Sequence, residues 1–266
     1  NVQRRLVSLA GDVRVILIMN ADRLHMLRIG KQFKDNSDRV RIALEASFLY
    51  APLSHRLGLY SIKSEMEDLS LKYTDRKTYD YIKQKLNETK RSRDAYIAEF
   101  IAPIEQKLKE AGFKFDIKGR TKSIHSINNK LKKQKIDFEG IYDLFAIRVV
   151  LNTPVDKERS ECWQVFSIIT DMYQPNPERM KDWISIPKSN GYESLHITVM
   201  GPQNKWVEVQ IRTKRMDEIA ERGLAAHWRY KGIKAENGLD EFMNTVRAAL
   251  ENKGANSREL MQDFKL

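Results

Sequence analysis

The sequence contains one cysteine, Cys162, among 266 residues. Neither an internal disulfide nor a cysteine-based zinc site can be built from it, which suits a reducing compartment. Membrane-length apolar runs are also missing: the stretch Val13 to Met19 (VRVILIM) is too short to span a bilayer, and no signal peptide opens the chain. A cytoplasmic protein with no membrane partner is expected. Nowhere does the sequence read Gly-x-x-x-x-Gly-Lys-Ser/Thr, which excludes P-loop chemistry. His25, His55, His125, His196 and His227 are scattered and form no His-x-x-x-His pair. An Asp-x-Asp pair beside a Gly-Ser loop, which addition of nucleotides to RNA would need, is absent as well. There is no internal repeat and no low-complexity tract. Acidic residues are in short supply, with 36 Asp and Glu against 47 Lys and Arg and a net charge of +11. That balance favours anionic partners such as nucleotides, RNA or acidic surfaces, although a basic solubilising surface would give it too.

What is present is globular. Hydrophobic residues make up 41% and aromatic residues 9% of the chain, enough for a sizeable core. The period of the pattern changes along the chain. From Val2 to about Ala111 the spacing is helical. SDRVRIALEASFLYAPLSHRLG opens with a Ser37-Asp38 cap signal and sets Val40, Ile42, Ala43, Ala46 and Leu49 on one face. Thr74 to Ala111 reads as a long charged helix or a pair of helices, interrupted at Pro103 and closed by Gly112. Beyond Gly112, FKFDIKGR, LFAIRVVL, SLHITVMG and KWVEVQIRT are strand candidates, the last two joined by a Gly201-Pro202-Gln203-Asn204 hairpin connection. SIHSINNKLKK and CWQVFSIITDMY are helical between them. The expected fold class is α+β: an all-α N-terminal part, joined by a long helix to a mixed sheet flanked by helices. The boundaries drawn are 1–75 helical, 76–112 linking, 113–235 mixed α/β and 236–266 helical and polar. Asn1 leads straight into helical pattern, which reads as the interior of a longer chain.

Three sets of residues could carry chemistry. In WVEVQIRT the period of two sends Val207, Val209 and Ile211 to one face and Glu208, Gln210 and Arg212 to the other; a solvated surface strand would alternate in the same way. Asp143 stands just ahead of LFAIRVVL, and two carboxylates from different strands can hold Mg²⁺, which prefers hard oxygen ligands. Asp143 and Arg148 have opposite parity, so Asp143 must precede the regular pairing or sit at a bulge. In KGRTKSIHSINNKLKK, Gly119-Arg120 followed by a helix starting near Lys122 makes a phosphate site at a helix N-terminus, with Lys122, Ser126 and Lys130 at i, i+4 and i+8. Lysines on a solvated helix would look similar. The third set is RMKDWISIPKSNGYESLH, from Arg179 to His196, where cations, an Asn-Gly turn, aromatics and a histidine share a stretch without helical period.

Taken together, GRTKSIHSINNKL, IYDLFAIRVV, RMKDWISIPKSNGYESLHITV, VEVQIRT and AERGLAAHWRYK resemble the synthetase domain of the RelA/SpoT-homologue family, the long Rel-type stringent-response enzymes. DVRVILIMNADRLHMLR and YAPLSHRLGLYSIKSEMEDLSLKY resemble the second half of that family's HD-type hydrolase domain. The likeness covers nearly the whole chain in the family's order. It implies a nucleotidyltransferase-like fold that transfers the pyrophosphate of ATP to the ribose 3′-hydroxyl of GDP or GTP, giving (p)ppGpp and AMP. Asp143 matches the family's magnesium-binding aspartate, and Glu208 matches the carboxylate that completes the metal site and helps deprotonate the attacking hydroxyl. Arg120 and Arg148 match arginines that flank the adenine, and Lys122, Ser126 and Lys130 match residues along the triphosphate. Tyr192 matches the tyrosine that stacks on guanine. Lys188, Asn190 and His196 match residues around the acceptor nucleotide, and Arg179 and Lys181 open the family's Arg-x-Lys-Asp signature.

Departures carry expectations too. Asp22 matches a metal ligand of the hydrolase site, but Met26 and Ile29 stand where the family usually has Asn and Thr, and the other ligands of a Mn²⁺ site are not found before it. An incomplete hydrolase site is expected, and hydrolysis of ppGpp in the presence of manganese would refute that. Ribosome and tRNA sensing is expected of a C-terminal region following MQDFKL. A different class of function, a binding module that holds guanine nucleotides or RNA without turnover, would have no use for both Asp143 and Glu208.

Overall fold

The computed structural model describes residues 13–141, 143–223 and 226. The expected C-terminal helical segment at 236–266 lies outside the described residues, as does His227. The described residues group into two compact units. One takes residues up to Asp80 with Lys188–Tyr192 and those from Glu218 on, and the other takes Tyr81–Pro187 and Glu193–Asp217.

In the first unit, helices α1 (Val13–Arg28), α2 (Asn36–Glu45), α3 (Ala51–Arg56) and α4 (Tyr60–Thr74) surround a core of Leu24, Leu27, Ile42, Ala43, Ala46, Tyr50, Ala51 and Met66. The cap of α2 lies two residues ahead of the expected one: Asp35 accepts from the Ser37 backbone N–H at 2.8 Å, and the helix runs from Asn36. Between α2 and α3 the turn widens to a π-helical segment, Ala46–Tyr50. Pro52 follows that segment inside a continuous helical run, since Tyr50 and Ala51 both keep right-handed helical dihedrals.

The second unit is built on a five-stranded sheet, β1 (Phe115–Thr121), β2 (Phe145–Leu151), β3 (Lys181–Asp182), β4 (Leu195–Gly201) and β5 (Lys205–Thr213), in the order β1-β2-β5-β4-β3. β2 and β5 are parallel and the other pairs antiparallel, so the sheet is mixed. The α+β class expected from the period change is the one found. Residues Ile147, Val149, Leu195, Ile197, Val199, Val207, Val209 and Ile211 are buried on one face, with Tyr96, Phe100, Ile104 and Leu108 of helix α6 (Lys90–Glu110) and Cys162, Val165 and Ile169 of helix α8 (Glu158–Met172).

Pro103 does not interrupt the helix as expected. The break falls at Thr89, between α5 (Arg76–Glu88) and α6, and Pro103 sits inside continuous α6. The stripe Tyr96, Phe100, Ile104, Leu108 has a spacing of four and is buried along its length. Burying each such side chain contributes about 1.5–3 kcal/mol, which together exceeds the roughly 3 kcal/mol of an interior proline. The two-residue strand β3 lies inside a stretch read as wholly irregular, because two residues carry no period.

Candidate active site

The register of the sheet gathers polar side chains onto the face opposite the core. Paired residues share a face, so Lys118, Arg148, Gln210, His196 and Lys181 form one row across all five strands. The adjacent row holds Arg120, Ala146, Glu208 and Thr198. The alternation in WVEVQIRT therefore sets Glu208 and Gln210 on the polar face, opposite the core residues Val207, Val209 and Ile211.

Asp143 lies two residues before β2, which settles its parity: it is outside the ladder. Lys122 precedes helix α7 (Ile124–Gln134), whose N-cap is Ser123; the Ser123 hydroxyl accepts from the Ser126 backbone N–H at 3.2 Å and donates to the Ser126 Oγ at 2.8 Å. The helix thus starts two residues later than expected, which leaves Lys122 ahead of it and only Ser126 and Lys130 within it. Lys122 Nζ donates to Asp143 Oδ2 at 2.8 Å and lies 3.8 Å from Glu208 Oε2, while Lys130 Nζ also donates to Asp143 Oδ2. His196 Nδ1 is 3.9 Å from Glu208 Oε1.

Attraction and repulsion both act within this cluster. Burial alone would raise the Asp143 carboxyl, but Lys122 and Lys130 outweigh it and hold the group below its usual range. Burial likewise pushes Glu208 up, and Lys122, His196, a hydrogen bond from Gln210 and the charge of Lys181 bring it below normal. Lys122 is lowered by burial and raised further by Glu208 and Asp143, with a net rise. Lys130 falls to about 8, through burial and the neighbouring Lys122 charge. Two ionised carboxylates converging on one ammonium make a cation site with hard oxygen donors, a donor set that fits Mg²⁺. Among the described residues no group of three or more His, Cys, Asp and Glu side chains converges as a metal site, so the remaining ligands of such an ion would be waters and phosphate oxygens, its common habit.

A polar chain continues from Glu208 along β5. Gln210 Nε2 donates to Glu208 Oε1 at 2.8 Å, and Arg212 Nη2 donates to Gln210 Oε1 at 2.6 Å. Arg212 and Arg148 both reach Asp217 Oδ1, at 3.5 and 3.1 Å. Asp217 belongs to helix α9 (Lys214–Arg222); sequence reasoning missed it, since nothing in a helical Asp announces two buried arginine partners. Arg148 is 4% exposed, whereas Arg120 is exposed on β1. The structure brings together Asp143, Glu208, Lys122, Lys130, His196 and Lys181. Arg179, exposed in a 3-10 turn two residues ahead of Lys181, is not in that cluster.

Lys188, Asn190 and Tyr192 fall in the other unit. Gly191 has φ +80°, a conformation glycine adopts without strain, and its N–H donates to the Lys188 carbonyl at 2.8 Å, closing the expected Asn-Gly turn. Asn190, 4% exposed, donates through Nδ2 to Tyr60 Oη at 2.8 Å and to the His55 carbonyl at 3.4 Å. Tyr192 is buried, meets Tyr60 edge-on with centroids 5.5 Å apart, and has Lys188 Nζ 5.7 Å from its ring centre. Asp22 is exposed on α1.

A mixed sheet with two carboxylates and two lysines gathered at one mouth defines an α+β domain with a charged site at the edge of its polar face. Residues 119–235 match the family described as "Region found in RelA / SpoT proteins", and residues 1–60 match the HD domain. A GTP pyrophosphokinase of Myxococcus xanthus is 42% identical over 241 residues, 91% of this chain and 31% of that protein. The bifunctional (p)ppGpp synthase/hydrolase SpoT of Escherichia coli is 39% identical over 248 residues, 93% of this chain and 34% of that protein. The crystal structure of small alarmone synthetase 2 from Bacillus subtilis superposes with a TM-score of 0.42 at 23% identity, over 69% of this chain and 98% of that one. The chain belongs to the RelA/SpoT family. It spans about a third of the length of these curated relatives. Among the described residues no helix is long and apolar enough to cross a membrane.

Proposed function

We propose that the chain is a cytoplasmic, Mg²⁺-dependent (p)ppGpp synthetase, transferring the β,γ-pyrophosphate of ATP to the ribose 3′-hydroxyl of GDP or GTP. The observation that carries this reading is the convergence of Asp143 and Glu208 on Lys122 beside Lys130. Asp143 and Glu208 would hold the metal, which offsets charge developing on the transferred phosphates. Lys122 and Lys130 supply cations to the triphosphate, and Ser126, in the first turn of α7, is assigned beside them. Glu208, kept ionised by Lys122 and His196, is available to accept the proton of the 3′-hydroxyl. Arg120 is assigned to the adenine, for which a planar guanidinium is suited; Arg148 would share that role once Asp217 releases it. Tyr192, with Lys188, Asn190, His196, Arg179 and Lys181, is assigned to the acceptor nucleotide. Ribosome- and tRNA-linked control is assigned to parts of the relatives' length that this chain does not span.

The test is incubation with ATP, Mg²⁺ and GDP or GTP, resolving nucleotides by anion exchange. AMP accumulating in step with ppGpp or pppGpp supports the reading. Nucleotide binding without either product would make the chain a guanine-nucleotide binding module.

A further inference from the structure

Both stems of the acceptor loop are fastened to the first turn of α8. Where the chain leaves β3, Asp182 Oδ1 accepts from the backbone N–H groups of Ile184 at 3.0 Å and Ser185 at 2.8 Å, and the Ser185 hydroxyl accepts from Arg159 Nη2 at 3.1 Å. Where the chain returns toward β4, Glu193 Oε2 accepts from Arg215 Nη1 at 2.7 Å. The Nε of Arg215 donates to Glu158 Oε2 at 2.8 Å, and Thr213 Oγ1 donates to Glu158 Oε1 at 2.5 Å. Glu158 is 4% exposed and Thr213 fully buried. Glu158 and Arg159 are neighbours in the chain, so one helix end serves both stems.

Stability does not require this arrangement. A buried carboxylate needs a cation, and Arg215 already supplies it to Glu158, in a first helical turn where negative charge is also favoured. Glu193 adds a second carboxylate to the same guanidinium, using the fork that lets one arginine bind two anions along different edges. The side chains of Arg215 and Glu193 are 17% and 15% exposed, so the pair is largely withdrawn from solvent screening. None of these residues touches Asp143, Glu208 or their lysines in the contacts above. What the second bond does fix is the residue that follows Tyr192 by one peptide bond.

We infer that Arg215 is a positioning residue for the acceptor nucleotide: anchored by buried Glu158, it holds Glu193 and so sets where the guanine-binding stretch rejoins the sheet. This rests on the proposed pyrophosphate transfer, in which that stretch receives GDP or GTP. Arg215 takes no part in the chemistry, and its effect belongs on acceptor affinity alone.

Arg215→Ala would strand Glu158 and risks unfolding, so the test uses Glu193→Gln, which leaves the Arg215–Glu158 pair intact, and Glu193→Asp as the charge-conserving partner. Steady-state kinetics on the full 266-residue chain vary ATP and GDP in turn, with thermal unfolding alongside. The expected result is a KM for GDP raised severalfold in Glu193→Gln, with roughly tenfold as the ceiling that weakening one charge-assisted hydrogen bond could pass on to acceptor affinity. The KM for ATP and kcat stay at wild-type values, Tm falls only modestly because Arg215 keeps Glu158 as its counter-charge, and Glu193→Asp recovers most of the change. Unchanged KM for GDP overturns the inference. A parallel fall in kcat and Tm also overturns it, since that is what a merely structural bond would give. If the wild type makes no product, the transfer reading fails separately, and fluorescent GDP titration decides the clamp: weaker binding to Glu193→Gln upholds it, and equal binding overturns it.

Discussion

The ammonium of Lys122 stands 2.8 Å from Asp143 Oδ2 and 3.8 Å from Glu208 Oε2, joining a carboxylate just before β2 to one in the middle of β5. A lysine in that position does for the two carboxylates what a divalent cation would do, and it competes with one. Replacing Lys122 with Ala should tighten Mg²⁺ binding in the absence of nucleotide, because unscreened carboxylates attract the ion more strongly. It should also lower kcat/KM for ATP by at least about tenfold, through loss of one charge-assisted contact to phosphate. Calorimetric Mg²⁺ titration and initial rates check the two effects, and weaker Mg²⁺ binding in the variant would contradict the account.

Asp182 gives a pH dependence. Burial is the largest single influence and raises its carboxyl, but hydrogen bonds from Ser185 and Ile184 together with the charge of Arg159 outweigh it, leaving it below its ordinary value. A folded-state pKa that is depressed contributes stability above the unfolded value of about 3.9, and that stability is lost as pH falls through the folded value. Asp182→Asn should therefore flatten the acid limb of the stability curve below about pH 4 and leave its shape above pH 6 unaltered, as read by urea unfolding. An acid limb of unchanged slope would contradict the assignment.

Tyr60→Phe keeps the edge-on ring contact with Tyr192 but removes the acceptor 2.8 Å from Asn190 Nδ2. Because Asn190 is buried and its Nδ2 keeps a long bond to the His55 carbonyl, while Oδ1 still accepts from the Tyr192 N–H at 3.2 Å, the expected cost is about 1 kcal/mol in chemical denaturation. A cost near zero would mean that the amide is satisfied elsewhere.

Cys162 is fully buried, and burial pushes its thiol up to about 12. As the single cysteine of the chain, it should resist thiol reagents at pH 8 in the folded protein and react once per chain in guanidinium, by absorbance or mass. Rapid labelling without denaturant would show that α8 opens locally.

Where the sequence was informative, a period and a burial requirement agreed. The alternation through Val207, Val209 and Ile211 identified both faces of β5, and the parity conflict between Asp143 and Arg148 correctly put Asp143 outside regular pairing. The resemblance named the residues that meet around Lys122 and Lys130. It could not say that Tyr192 and Asn190 are buried, or that Arg148 is held by Asp217, because those states depend on partners distant in the chain. Pro103 misled for a local reason, since a propensity penalty was set against packing that only the folded stripe Tyr96 to Leu108 supplies. β3 was too short for a period, and the Glu158–Arg215–Glu193 bridge links residues in three separate stretches with no motif in common.

The most direct test of the central claim follows label from β-labelled ATP in the presence of Mg²⁺ and GDP, for the wild type, Asp143→Asn and Glu208→Gln. The account predicts that label leaves the adenine nucleotide entirely and appears in ppGpp, one for each AMP formed. Both substitutions should reduce the rate at least about a hundredfold, given the several kcal/mol a bound metal contributes to phosphoryl chemistry. Label remaining in ADP, AMP formed without a guanine product, or undiminished turnover in Asp143→Asn would contradict it.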